Sequence, residues 1–259
     1  MEILTYRAFT PVPDDPQATS GNPAGVVLDA EELDRAGMLR IAADLGFSET
    51  AFLTQITPDS ARIQYFTPRD EIAFCGHATI ASGVALARRG AGPVVTLATR
   101  AGDVPVEVTT DAATLTAVDS LVTPLGGLVL DALLAALRLS PADLDPALPP
   151  AFVQGGNPHP LVFVGAGALE RLDPDDGALL AVQNRHGWDG TVPVVHRLAA
   201  DRFVSRNPFP RGGIREDPAT GSAAASLGYY LRAGSHLPVP ARVHDRRVSV
   251  GKRVGAEGA

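Results

Sequence analysis

Four side chains in this sequence combine acid/base chemistry with surroundings that would tune it. Glu49 interrupts the apolar run GFSETAFL, Cys75 and His77 flank a glycine in AFCGHATIASG, and Asp217 precedes Pro218 in the turn GIREDPATGSAA. A carboxyl group among apolar neighbours loses solvation, so its pKa rises and it becomes a better proton carrier near neutral pH. A histidine in the first turn of a helix is held toward neutral imidazole by the helix dipole, which favours a donor or a relay over a fixed cation. The thiol is open to three readings, as nucleophile, acid/base group or packing, because a helix start favours the thiolate and burial opposes it. Read singly, each residue also has an ordinary role: Glu49 as a cap or edge-strand residue, His77 as a structural histidine, Asp217 as a turn former.

The elements that must position these groups repeat. Sliding the sequence on itself by 145 residues lays CGHATIASGVAL from Cys75 over TGSAAASLGYYL from Thr220, matching Gly76 with Gly221, Ala78 with Ala223, Gly83 with Gly228 and Leu86 with Leu231. Both segments are small and apolar nearly all round and close on Arg and Gly, as expected of helices buried inside a sheet. Buried helix starts leave free N–H groups at Gly76 to Ala78 and Gly221 to Ala223, and these need acceptors. Two such starts facing one cleft would hold a ligand carboxylate without any arginine. Capping by Thr79 or Ser222 is the plain alternative for either helix alone.

Strand-like runs surround these helices: EILTYRAF, AGVVL, ETAFLTQI, RIQYFT and DVPVEV in the first half, then PLVFV, TVPVVHRL and ADRFVSRNPF in the second. EELDRAGMLRIAADLG reads as a helix with Leu33, Ile41 and Leu45 on one face and Gly46 as its stop. Leu130, Leu133, Leu134 and Leu137 mark another. The turn-rich stretch 110–127 divides the chain, predicting units over 1–116 and 117–259. The expected fold is α+β, two similar halves, each a curved and mostly antiparallel sheet wrapped around a central helix. A single α/β domain with two Ala-rich helices is the alternative.

A formal charge of −7, with no long run of Lys and Arg, argues against nucleic acid and anionic membrane as partners and leaves a small molecule. LVTPLGGLVLDALLAALRL is broken by Pro124, Asp131 and Arg138 and does not read as a membrane span. One cysteine forms no internal disulfide, and MEILTYRAFTPVP lacks the blocks of a secretory signal, so a cytoplasmic location is expected. His159, His186, His196, His236 and His244 are scattered without ligand spacing, which predicts no metal. GAGALE lacks the context of a dinucleotide fingerprint, and no cofactor is expected.

GNPAGVVL, FSETAFL, YFTPRDEIAFCGHATIASG, GNPHPLVFV and GIREDPATGSAAASLGYYL occur in order and together resemble the signature segments of the PhzF-like isomerases, whose fold is that of diaminopimelate epimerase. The resemblance implies a cofactor-independent isomerase that moves a proton within a small carboxylate-bearing substrate, in phenazine members a dihydro-hydroxyanthranilate. It makes Glu49 the proton-transferring carboxylate, with His77, Asp217 and Ser222 beside it and the Gly76 and Gly221 helix starts binding substrate, and it implies a homodimer. The tail ARVHDRRVSVGKRVGAEGA departs from the pattern, a short Arg-rich version of the expected closing strands. In related epimerases and racemases two cysteines precede the two central helices; here the second place is Thr220, whose hydroxyl is too weakly acidic to partner a thiolate. An epimerase or racemase using Cys75 with another base is the rival enzyme, and a non-catalytic binding protein is the rival from another class.

Overall fold

The computed structural model describes residues 1–9, 21–116, 120–155, 157–237 and 244–247. Two mixed sheets, in which antiparallel pairs are the majority, each carry helices on both faces. The first runs β1 (Glu2–Ala8), β2 (Asn22–Leu28), β3 (Glu49–Thr54), β4 (Ser60–Phe66), β6 (Val94–Thr99), β7 (Gly102–Val108) and β8 (Ala113–Leu115), with β5 (Glu71–Ile72) paired to β4. The second runs from β14 (His244–Arg247) through β13 (Arg202–Arg206), β12 (Val194–Ala199), β11 (Pro158–Phe163) and β10 (Ala151–Gln154) to β9 (Leu121–Pro124). β8 therefore closes one sheet and β9 opens the other, so the stretch 110–127 holds two short strands as well as turns.

Alternating side chains feed two layers per sheet. In β2, Ala24, Val26 and Leu28 join Leu53, Ile63 and Tyr65 around α2 (Gly76–Arg88), while Val27 turns to the other face with Phe52 and Phe66. That outer layer is covered by α1 (Arg35–Leu45) through Met38 and Ala42, with Leu33 and Ile41 only partly buried, so the inward stripe is centred on a different pair than the leucine spacing indicates. Gly46 ends α1 in the left-handed conformation at φ 66°, as its place in the sequence requires.

In the second sheet Leu161 and Phe163 face α6 (Gly221–Ala233), while Val162 and Val164 face α3 (Gly127–Leu137) and α5 (Asp176–His186). A short helix, α4 (Ala166–Glu170), follows β11. The two central helices are each 13 residues long and begin 145 residues apart, matching the offset. They differ in burial. α2 is covered along most of its length by β1, β2, β3, β7 and β8, whereas α6 rests on β9, β10 and β11 and leaves Ala224 exposed and Gly228 half-exposed. Both are the central helices of their sheets; among the described residues the sheet of α2 has eight strands and that of α6 has six. Of the carboxyl tail, the described part is β14, parallel to β13; residues 248–259 lie outside the described residues.

Candidate active site

The two central helices meet start to start. A Cβ built on Gly76 would sit 4.0 Å from the Cα of Gly221, so the free N–H groups of both first turns open on one space. Neither start is capped by a side chain: Cys75 and Thr220 occupy the N-cap positions in extended conformation, with no side-chain cap bond. Thr79 instead donates to the Cys75 carbonyl at 2.7 Å and pairs with Tyr65 at 2.6 Å, and Ser222 bonds His159, which removes the plain capping explanation for both. Gly221 is fixed by its neighbour, since any Cβ there would lie 2.8 Å from the Phe9 ring.

Between the starts lies a cavity of about 660 Å³ whose lining includes Glu49, Cys75, His77, His159, Asp217 and Ser222. An apolar chamber of about 370 Å³ adjoins it across Phe74, Gly76, Asn157, Gly221 and Ser222. Glu49 is the first residue of β3 and is buried; the parallel register of β3 with β2 places it opposite Ala24. Burial pushes the Glu49 carboxyl above its ordinary range, the neighbouring imidazole of His77 pulls it back, and the charge of Asp217 adds to the rise.

His77 sits with Nε2 3.4 Å from Glu49 and Nδ1 3.3 Å from the Cys75 sulfur. When Glu49 is ionised its carboxylate only accepts, so in that state the ring carries its proton on Nε2 and its Nδ1 accepts from the thiol; when Glu49 is protonated it can donate to Nε2 instead. The thiol can donate because it stays protonated: burial, and then the nearby Glu49, push it well above its usual pKa.

Asp217 reaches the site through a residue that sequence reasoning missed. Asn22 Nδ2 donates to Asp217 at 2.7 Å and to the Ala219 carbonyl at 3.0 Å, and lies 3.4 Å from His77 Nδ1; its amide oxygen accepts from Ser48 at 3.3 Å. Thr220 donates to the other Asp217 oxygen. One asparagine thus ties the start of β2 in the first sheet to the turn before α6. His159, grouped in the sequence with scattered histidines, is the second residue missed; it is wholly buried behind Ser222. The available signal was the repeated tripeptide Gly-Asn-Pro at 21–23 and 156–158, each preceding an apolar strand.

The donor atoms of Glu49, Cys75 and His77 lie within 4.8 Å of one another, a cluster that histidine spacing did not reveal. A cation there would have to strip protons from a carboxyl and a thiol that the site holds toward their neutral forms, so the donor set suits proton handling better than resident metal binding.

The arrangement defines a class first. Two helix-centred sheets joined at their helix starts form the α+β fold shared with a protein of Agrobacterium radiobacter K84 described as a probable proline racemase, at TM-score 0.60 and 19% identity, covering 88% of this chain and 78% of that one. The family follows from closer matches. The model of the phenazine biosynthesis-like proteins, PhzC-PhzF, matches residues 6–259, and the chain belongs to that family. A PhzF-family protein of Bacillus anthracis superposes at TM-score 0.74 with 28% identity, over 89% of this chain and 80% of its own. An uncharacterized isomerase of Deinococcus radiodurans is 35% identical over 260 residues, 97% of this chain and 82% of that protein. The trans-2,3-dihydro-3-hydroxyanthranilate isomerase of Pseudomonas aeruginosa is 31% identical over 263 residues, 91% and 88% respectively. The chain is an isomerase of this family.

Proposed function

We propose that this isomerase moves a proton within a small carboxylate-bearing substrate, with Glu49 removing and redelivering the proton. The observation that carries the reading is a buried carboxyl, raised in pKa by desolvation, on the same cavity as two uncapped helix starts. A base poised above the ordinary carboxylate range exchanges protons with carbon acids more readily at neutral pH than a solvated one. The backbone N–H groups of the Gly76 and Gly221 turns receive the substrate carboxylate, where it meets two positive dipole ends. His77, through Nε2, stabilises the ionised state of Glu49, and Asp217, oriented by Asn22 and Thr220, holds polar groups of the substrate. The relative named for dihydro-hydroxyanthranilate isomerisation supports a ring acid as one substrate type.

A racemase using Cys75 against a second base is less well supported. Its thiol is held protonated, and Thr220, at the facing position, donates its hydroxyl to Asp217. The family resemblance also supports a homodimer, which light scattering would test. The discriminating experiment for the reaction is incubation of candidate carboxylic acids in heavy water, with mass spectrometry and NMR locating label on carbon. Label at one carbon with a shifted double bond supports the isomerase; label with inversion at a stereocentre supports the racemase.

A further inference from the structure

We propose that Arg69 receives a second carboxylate at the outer end of the cleft, so that the substrate is a diacid with one carboxylate at the helix starts and the other at the guanidinium. The inference rests on the reading of the cleft as the substrate site and narrows the substrate class within it.

Three arginines line the cavity that holds Glu49: Arg69 and Arg100 from the first half and Arg211 from the second. Two of them are committed within their own half. Arg100 pairs with Glu71 at 3.6 Å, and Arg211 pairs with Asp189 at 2.8 Å and donates to the Asn184 side chain. Asp70, on the same rim, pairs with Arg35. Arg69 is left over: among the described residues its guanidinium has no carboxylate at ion-pair distance and no hydrogen-bond acceptor. A guanidinium is always charged, and its planar fork of five N–H donors matches one carboxylate through two parallel bonds.

The backbone and the facing half both fix where that fork stands. Thr67 Oγ1 accepts from the N–H groups of Arg69 at 3.2 Å and Asp70 at 3.0 Å, which closes the tight turn between β4 and β5. From there the side chain crosses to Gly213 of the second half, where an added Cβ would lie 2.9 Å from Nη1 and 3.1 Å from Cζ. Gly213 holds φ 78°, a left-handed conformation that glycine adopts freely, and its bare Cα leaves the room the guanidinium occupies. A carboxylate at Arg69 therefore sits where the two halves meet, as the carboxylate at the helix starts does. At about 660 Å³ the cavity is of the size that encloses a whole small ligand, so one molecule reaches both places.

Calorimetry on the intact protein at fixed ionic strength tests this with isophthalate, terephthalate, glutarate and adipate, each beside its monomethyl ester, which keeps the shape and loses one charge. The best diacid should bind about tenfold tighter than its ester, the scale of one charge-assisted hydrogen bond. Arg69 is exposed, so Arg69→Gln should fold with an unchanged melting temperature; in it the ratio should fall to about one, and Arg69→Lys should keep part of it. NMR of ¹⁵N-arginine-labelled enzyme, with the Arg69 Nε–H signal assigned from Arg69→Gln, reads the residue itself: the diacid should shift that signal and the ester should not. Diacid and ester binding wild type equally well, a diacid preference that survives Arg69→Gln, or a bound diacid that leaves the Arg69 signal unmoved would each overturn the proposal. In all three cases the ester still binds through its one carboxylate, and the reading of the cleft stands. If neither diacids nor esters bind, the proposal and the carboxylate site at the helix starts fall together.

Discussion

Glu49, His77 and Cys75 form a short chain of groups whose protonation states depend on one another, and that coupling has measurable consequences. Desolvation raises Glu49, His77 lowers it and Asp217 raises it further. The rate should therefore climb with pH through a midpoint above the ordinary carboxylate range. Asp217→Asn should move that midpoint down and His77→Gln should move it up, read from kcat/KM profiles of whichever variants keep activity. The sign for stability is opposite. A carboxyl whose folded pKa is raised contributes stability below its unfolded pKa and loses it as pH rises through the folded value. Glu49→Gln, which cannot ionise, should gain in melting temperature relative to wild type as pH rises from 4 to 8; a difference that stays flat would place the titration elsewhere. Cys75→Ser keeps a donor for His77 and should retain most turnover, whereas Cys75→Ala should lose a few-fold. A loss of several hundredfold in the serine variant, with folding intact, would shift the account toward thiol catalysis.

The elements that deliver these groups can be broken one at a time. Gly83 lies on the face of α2 against β7 and β8, where a Cβ would come 2.9 Å from Val108 and 3.1 Å from Ala113. Gly83→Val should cost about 1–3 kcal/mol by overpacking, measured by urea denaturation, with Gly228→Val near neutral because no described residue lies within 4 Å of the Cβ it would add. The helix pair was legible in the sequence because small residues recur at matched positions, which packing against a sheet demands. The unequal cover of the two helices among the described residues was not legible, since it depends on how many strands each sheet recruits. Asn22 and His159 were hidden for a different reason. Their bonds cross 195 and 63 residues of chain, and a residue's own neighbours carry no record of a partner brought in by strand register.

At the scale of the molecule, the turn that carries Asp217 is anchored from the second sheet. Arg206, buried at the end of β13, pairs with Glu216 and donates to the Leu172 carbonyl at 2.6 Å and the Leu169 carbonyl at 3.3 Å. The next residue along the turn, Asp217, donates its N–H to the Asn207 carbonyl at 2.9 Å. Arg206→Met leaves the largely buried Glu216 side chain uncompensated and should cost about 3 kcal/mol; adding Glu216→Met should recover most of that. Additive losses in the double-mutant cycle would mean the pair acts independently. Among the described residues no helix is long and apolar enough to cross a membrane.

The central claim is that the Glu49 carboxylate carries the migrating proton. The direct measurement is solvent deuterium incorporation into an identified substrate by wild type and Glu49→Gln, run beside calorimetric binding of the same acid. The amide keeps the size and hydrogen-bonding reach of the carboxylate but takes no proton, so binding should stay within a few-fold while exchange falls by ~10²–10⁴ or more. Near-normal exchange by the glutamine variant would contradict the account and remove Glu49 from the mechanism.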